Sequence, residues 1–332
     1  MNRPDTLILS HSQIVSLITF EGAIAAVEKV MEAHGRSRVI EPNLLHADAP
    51  RGEFHIKTGG VLGPEETGVF GLKANGGFFD NKALGLPNIV GVIYLADAET
   101  GCPLAVLDSV EISRVRTGAA TAVAARKLAR PDSEVVTVVG TGTQARTQVE
   151  ALSHVLPLKK VRLVGRDLEV TRKRAATFEA HLAMEVEAFG SVSEALSGAD
   201  VLVTSTPSRK PLVQASDIPP GLFIAAVGAD SPGKQELEPE IVAGATVVAD
   251  VLSQCVHVGE LQHAIAAGLM TEEQVHGELG TVLCGERPGR TSAEEVTLYD
   301  STGTALQDVA LGFEVYERAL EQGMGLSIAL GE

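Results

Sequence analysis

"EVVTVVGTGTQARTQVE", residues 134–150, is the stretch whose reading decides the fold. A β-branched run, Val135–Val139, enters a turn of small residues and leaves it as a helical segment. Gly140, Gly142 and Ala145 spell G-x-G-x-x-A across that turn. In such a turn the first glycine permits the tight bend and the second lets backbone approach a pyrophosphate. The third small residue lets the helix pack against the strand, with the anion at the helix N-terminus. The same letters also suit a tight strand–helix connection that holds nothing, so the surrounding pattern has to decide.

That pattern favours a dinucleotide site. Strands are expected at 135–139, 160–165, near 185, and at 200–204, 222–227 and 246–250, with helices at 143–154, 168–182 and 192–198. Strands alternating with helices imply a doubly wound parallel sheet. Upstream, a helix is expected over 18–35 with Gly35 as its C-cap. "GEFHIKTGGVLG" and "TGVFGLKANGGF" alternate like strands, and 89–96 and 103–107 read as a hairpin turning through Glu99, Thr100 and Gly101. A long helix from about Glu111 to Ala129 stops before Pro131, and another spans roughly 302–323.

The totals agree with a two-lobe α/β protein: 332 residues, 45% hydrophobic and 21% charged. A formal net charge of −16 argues against a nucleic-acid surface. Cys102, Cys255 and Cys284 are scattered, with no CxxC or Cys/His cluster, so reduced thiols, a cytoplasmic location and no structural metal are expected. "MNRPDTLILSHSQ" is too briefly apolar for a signal peptide or a membrane span.

The tip of the second strand bears on the cofactor. "KVRLVGRD" ends in Gly165 and Arg166, with Asp167 two residues beyond the place where an acid holds the ribose of NAD. An arginine without that acid leans towards NADP(H). A solvated helix-start arginine, or Asp167 turning back to the ribose, is the other reading.

"GLKANGGF", "ETGCPLAVLDSVEISRVRTGAATAVAARKLAR", "VGTGTQARTQVEAL", "VGADSPGKQELEPEIV" and "GRTSAEEVTLYDSTGTALQDVA" occur in this order between about residues 70 and 310. Together they resemble the ornithine cyclodeaminase/μ-crystallin family. The resemblance implies a Rossmann domain, about 122–300, inserted in a discontinuous α+β domain. That domain would be formed by 1–121 and a C-terminal helix in 301–332, would bind substrate and would make a homodimer. It also implies chemistry at the α-carbon of amino acids. The preferred expectation is an NAD(P)(H)-dependent amino-acid dehydrogenase or α-imino acid reductase. Ornithine-type cyclodeamination with ammonia release is the alternative, and a non-catalytic NADPH-dependent binding protein is a third reading.

By the same resemblance, Lys73 contacts the substrate carboxylate and activates the reacting centre, and Asp230 is the acid/base at the substrate nitrogen. Read alone, Lys73 is more simply a strand-edge lysine in water, and the other reading of Asp230 is a turn residue before Pro232. Arg51 is the nearest counterpart of a carboxylate-binding arginine, whose fork would suit bidentate contact; a surface loop arginine is the bland alternative. Arg116 would meet the cofactor phosphates, or else pair with Glu111 or Asp108 on a helix surface. Asn88, Thr117, Thr143, Gln144, Thr206, Lys234 and Ser301 fall at the remaining cofactor positions, beside Gly140, Gly142 and Arg166.

One departure stands out. Cyclodeaminases carry a glutamate upstream of the lysine, where this chain has Gly59, Gly60 and Val61; its nearest acids there are Glu65 and Glu66. Lys57 in that region suits a neutral or acidic substrate side chain better than a distal ammonium. His55 is a possible acid/base on the same strand face. No second histidine stands at metal-ligand spacing, and His257 with His263 reads as a helix pair on a partly buried face.

Overall fold

The computed structural model describes residues 5–63 and 68–330. Glu65 and Glu66 lie outside the described residues. The chain divides into two compact units, Met1–Arg116 with Thr304–Glu332, and Thr117–Gly303.

In chain order the first part contains β1 (Thr6–Leu9), α1 (His11–Leu17), α2 (Phe20–Gly35), β2 (Val39–Ala49), β3 (Gly52–Leu62), β4 (Gly68–Gly77), β5 (Ile89–Asp97), β6 (Pro103–Asp108) and α3 (Val110–Leu128). The middle contains β7 (Val135–Val139), α4 (Thr143–Ser153), β8 (Lys160–Val164), α5 (Leu168–Leu182), β9 (Glu185–Phe189), α6 (Val192–Leu196), β10 (Val201–Thr204), β11 (Arg209–Val213), β12 (Phe223–Ala226) and β13 (Gln235–Leu237). Then come α7 (Pro239–Gly244), β14 (Thr246–Ala249), α8 (Leu252–Val258), α9 (Leu261–Ala266), β15 (Gly277–Glu278), α10 (Leu279–Leu283), β16 (Thr297–Asp300), α11 (Ala305–Glu321) and β17 (Leu326–Ile328).

The first unit is built on a seven-stranded sheet of order β17-β1-β6-β5-β4-β3-β2. Only β1 and β6 run parallel; the other neighbours are antiparallel. β2 takes an edge, where Pro42 and a register shift between Ile40 and Asn43 cost no interior ladder bonds. Helix α11 lies on one face of the sheet because small residues let it: a Cβ at Gly71 would overlap Val309, and one at Gly312 would come within 3.3 Å of Leu107. Residues 71, 73 and 75 share that face by strand alternation, so α11 packs on the side to which Lys73 points. Helix α2 is capped by Thr19, whose hydroxyl accepts from Gly22 N at 3.2 Å. Gly35 is the last helical residue, not the expected C-cap; Arg36 caps the helix and Ser37 takes the left-handed conformation at φ 56°.

The second unit is a parallel sheet of order β15-β14-β16-β12-β10-β7-β8-β9. Strand order reverses between β7 and β10, the place where open α/β sheets collect ligands at strand carboxyl ends. The small residues after Arg116 serve helix packing: a Cβ on Gly118 would stand 3.0 Å from Ala151 Cβ and from the Thr147 carbonyl of α4.

Candidate active site

In the first unit three cationic side chains gather around one carboxylate. Lys57 and Lys73 are direct partners in the β3–β4 ladder, so they share a face. Asp308, from the first turns of α11, is fully buried and reaches Lys73 Nζ at 2.6 Å and Arg116 Nε at 2.9 Å. Arg116 Nη1 also donates to Gln307 Oε1 at 3.0 Å, and Lys73 Nζ donates to Ser113 Oγ at 3.3 Å. Lys57, Lys73 and Arg116 are 7%, 4% and 7% exposed. Burial pushes the Lys73 ammonium down to about 7; Asp308 pulls it back, while Arg116 and Lys57 push it further down. Burial opposes ionisation of Asp308, but Arg116 and Lys73 hold its carboxyl below the usual range. The arrangement is a carboxylate-anchored amine that can hold or release a proton near neutral pH.

Several expectations change here. Arg116 does not pair with Glu111 or Asp108: Arg114 takes Glu111 at 2.6 Å, and Asp108 meets His11 at 3.2 Å and caps Val110 N at 3.0 Å. Arg51 is not brought to Lys73. It is exposed in the β2–β3 turn, six residues along the chain from Lys57, or about 20 Å at the rise of an extended strand. There it lines a separate cleft of about 350 Å³ with Pro50, Phe78, Asp80, Asn81, Ala83 and Leu84. Asn88 Oδ1 is buried with no hydrogen-bond partner among the described residues. His55 does have a histidine neighbour, contrary to the spacing argument: the hairpin register sets His46 opposite it. Their rings lie edge to face at 4.8 Å, and His55 Nε2 is 3.2 Å from Glu53 Oε1. The ligand atoms of His46, Glu53 and His55 all fall within 4.8 Å of one another.

The second unit presents the glycine turn. Gly140 holds φ +123°, and a Cβ there would press to 2.9 Å from Ser205 Oγ and 3.0 Å from the Ser205 carbonyl after β10. Gly142 is the N-cap of α4, which has no side-chain cap, and nothing lies within 4 Å of a Cβ placed on it. The N-terminus of α4, which begins at Thr143 and Gln144, thus opens onto space a pyrophosphate can enter. Ser205 Oγ, after β10, and Ser301 Oγ, after β16, are buried hydroxyls with no hydrogen-bond partner among the described residues. Arg166 lines a cleft of about 390 Å³ with Thr141, Asp167, Val170 and Thr171. Asp167 is also the N-cap of α5, where its carboxylate accepts from Val170 N at 2.9 Å. These residues fit a dinucleotide.

Asp230 and Lys234 form an ion pair at 2.5 Å, and the Asp230 side chain remains 46% exposed. Ser231 Oγ donates to the same carboxylate at 3.2 Å. His257 and His263 are not a helix pair: they belong to α8 and α9 respectively, His257 is exposed, and His263 Nε2 lies 2.7 Å from the Lys234 carbonyl.

Reading the sequence missed a run of buried acids that hold the loops at the strand ends. Glu236 accepts from Thr206 N at 2.6 Å and Gly228 N at 3.0 Å, joining the loops after β10 and β12. Its own N–H donates to Glu260 at 2.7 Å, and the N–H groups of Glu260 and Leu261 donate to Asp300 at 3.1 and 3.0 Å. Asp250 accepts from Thr302 Oγ1 at 3.0 Å and Gly303 N at 2.6 Å. Burial raises Glu236 to about 7, Glu260 to about 9 and Asp300 to about 7. Each folded-state value lies above its ordinary one, so the folded chain binds more protons than the unfolded chain. Their contribution is full below about pH 4 and is lost as pH rises through 7 to 9. Lys73, lowered, acts in the opposite direction above pH 7. Calorimetry at fixed ionic strength should therefore find Tm falling between about pH 5 and pH 8, and the slope should flatten when Glu236 is replaced by glutamine.

One unit holds a buried lysine–carboxylate centre and the other a glycine turn that fits a dinucleotide. The family model of the ornithine cyclodeaminase/mu-crystallin family matches residues 5–323, and the chain belongs to that family. It is similar to the alanine dehydrogenase of Archaeoglobus fulgidus, 38% identical over 98% of each chain. It is also similar to the iminosuccinate reductase of Paracoccus denitrificans, 36% identical over 98% of this chain and 100% of that one. An archaeal alanine dehydrogenase dimer with bound NAD superposes with a TM-score of 0.92, at 37% identity over 98% of this chain and 100% of that one.

Proposed function

We propose that the chain is an NAD(P)(H)-dependent oxidoreductase that interconverts an α-imino acid and the corresponding L-amino acid. The observation that carries this reading is the buried Lys73–Asp308–Arg116 cluster in a chain that also has an open glycine turn. A bound reduced nicotinamide supplies one hydride to the α-carbon, so that with one proton an iminium acid becomes an ammonium acid and oxidised cofactor is released. Lys73 binds the substrate carboxylate through its ammonium and holds a proton at Nζ. Asp308 fixes that amine and favours its charged form, and the arriving anion adds to this against the opposing charge of Arg116. Asp230 manages the proton on the substrate nitrogen, where a carboxylate also stabilises positive charge.

The remaining assignments extend the same proposal. Gly140, Gly142, Thr143 and Gln144 hold the pyrophosphate, and Asn88, Thr117, Thr206, Lys234 and Ser301 make further cofactor contacts. Arg166 takes a 2′-phosphate, which leans the preference to NADP(H); the engagement of Asp167 as a helix cap supports this. The Thr117–Gly303 unit is the cofactor domain and the other unit the substrate and dimerisation domain. Leu45, Phe54, Val90 and Val92, all exposed on the face of the sheet opposite α11, suit a homodimer contact. No described helix is long and apolar enough to cross a membrane, and the three cysteines are free, in keeping with a cytoplasmic enzyme.

A panel of L-amino acids with NAD or NADP, followed for ammonia and reduced cofactor together, tests the reading. Ammonia matched by reduced cofactor is the expected result, with NADP the faster. Ammonia released with no net reduction would instead mark a cyclodeaminase.

A further inference from the structure

We propose that the β2–β3 hairpin carries a binding site for a divalent transition-metal ion, with His46, Glu53 and His55 as ligands and Asp48 completing the set. Zinc is the ion these donors fit best. The site stands independently of the proposed hydride chemistry.

The hairpin register makes the cluster. His46 stands directly opposite His55, and Asp48 directly opposite Glu53. Residues two apart along a strand share a face, so all four side chains project from one side of the ladder as two adjacent cross-strand pairs. The closing turn is tight, with Ala49 paired to Gly52, and it pins that register. The Glu53 carboxylate sits between the rings: Oε1 is 3.2 Å from His55 Nε2, and Oε2 is 3.8 Å from His46 Nε2. Asp48 Oδ1 reaches the same His46 nitrogen at 3.1 Å. Both imidazoles thus present Nε2 to one carboxylate, and the ligand atoms of His46, Glu53 and His55 all lie within 4.8 Å of one another. Two ligands bound to one tetrahedral zinc ion stand about 3.4 Å apart. The observed separations of 3.2 and 3.8 Å already bracket that spacing, and rotation of the exposed His46 and Asp48 side chains closes the remainder.

The donor set selects the ion. Two imidazole nitrogens with carboxylate oxygens suit zinc and its first-row neighbours, whereas calcium and magnesium take shells of oxygen. With both rings neutral, Glu53 and Asp48 bring two negative charges, which one divalent ion balances. Strand β2 is the edge of its sheet, and edge strands also carry charge to discourage pairing with another chain. That role asks only for charge; it does not ask for two histidines aimed at the same carboxylate from opposite strands. A bound ion would clip the edge strand to β3 beside the turn, and its binding free energy would add to the stability of the folded chain.

The test uses the purified full-length chain without a histidine tag, stripped with a chelator and titrated with zinc chloride by calorimetry. One ion per chain with a Kd of about 10 μM or tighter is expected, and Tm should rise with zinc concentration, as for any ligand of the folded state. His46→Ala and His55→Ala should each weaken binding by more than about 100-fold, beyond the loss typical of residues that only orient a ligand. Thermal unfolding of the metal-free variants confirms that they fold. Cobalt(II) added to the unaltered chain gives a second readout: visible d–d absorption of a tetrahedral site, with no thiolate charge-transfer band from the three free cysteines. Affinity weaker than about 10 μM, binding that neither histidine substitution weakens, or a thiolate band with cobalt would overturn the proposal.

Discussion

Replacing Asp308 by asparagine is expected to destabilise the protein by about 3 kcal/mol, because removing one partner of a buried ion pair leaves its counterpart charges uncompensated. Asp308 is fully buried and is the carboxylate on which Lys73 and Arg116 both rest. Asparagine keeps the volume and loses the charge, so packing is preserved while three cations crowd together. Lys73 can escape by deprotonating, since its ammonium is already held near 7; Arg116 cannot. That escape keeps the cost towards the lower end of the range for broken buried pairs. A fall in Tm of about 4 °C follows for a chain of this size. Activity should fall further than stability does, because the amine is then neutral over the working pH range and no longer attracts a carboxylate. Calorimetry and steady-state kinetics on the same preparation separate the two effects. An unchanged Tm would mean that the cluster does not carry the charge balance assigned to it.

Replacing Lys73 by alanine is expected to reduce kcat/KM by about 10³, within the usual range for a positioned acid–base group. Two functions are lost together: the charge that binds the carboxylate and the proton held at Nζ. Arginine separates them. Lys73→Arg should retain substrate affinity, since its charge persists, and yet recover little turnover, since a guanidinium does not titrate. The pH dependence has a definite sign. The free Lys73 amine loses its proton as pH rises through about 7, so affinity for a non-reactive carboxylate such as succinate should weaken above that point. In Lys73→Arg the dependence should vanish, and titration calorimetry across pH 6–9 would detect it.

The parallel half of the fold was legible because its signals are local. Strand 135–139 and helix 168–182 coincide with β7 and α5, and the small residues at 140, 142 and 145 mark the turn between strand and helix. The three- and four-residue strands β17 and β1 escaped notice, since their pairing is with distant segments rather than with neighbours. The site divides the same way. Lys73 and Asp230 carried a resemblance, whereas Asp308 looked like any acid on an amphipathic helix until α11 was seen lying over Gly71. Arg51 falls in a hairpin turn, and distance along the sequence says nothing of how far such a turn stands from the middle of its strands. His46 and Lys57 acquire partners only through the register of β2, β3 and β4, which no spacing rule within one strand supplies.

The central claim, hydride exchange at the α-carbon of an amino acid, is tested most directly by isotope transfer. The chain would be incubated with a 2-oxo acid, ammonium and a reduced cofactor deuterated at the transferring position of nicotinamide C4, and the amino acid analysed by mass spectrometry. One deuterium at the α-carbon for each cofactor oxidised is the predicted result. Cofactor oxidation without label in the amino acid, or amino acid formed without cofactor oxidation, would contradict it.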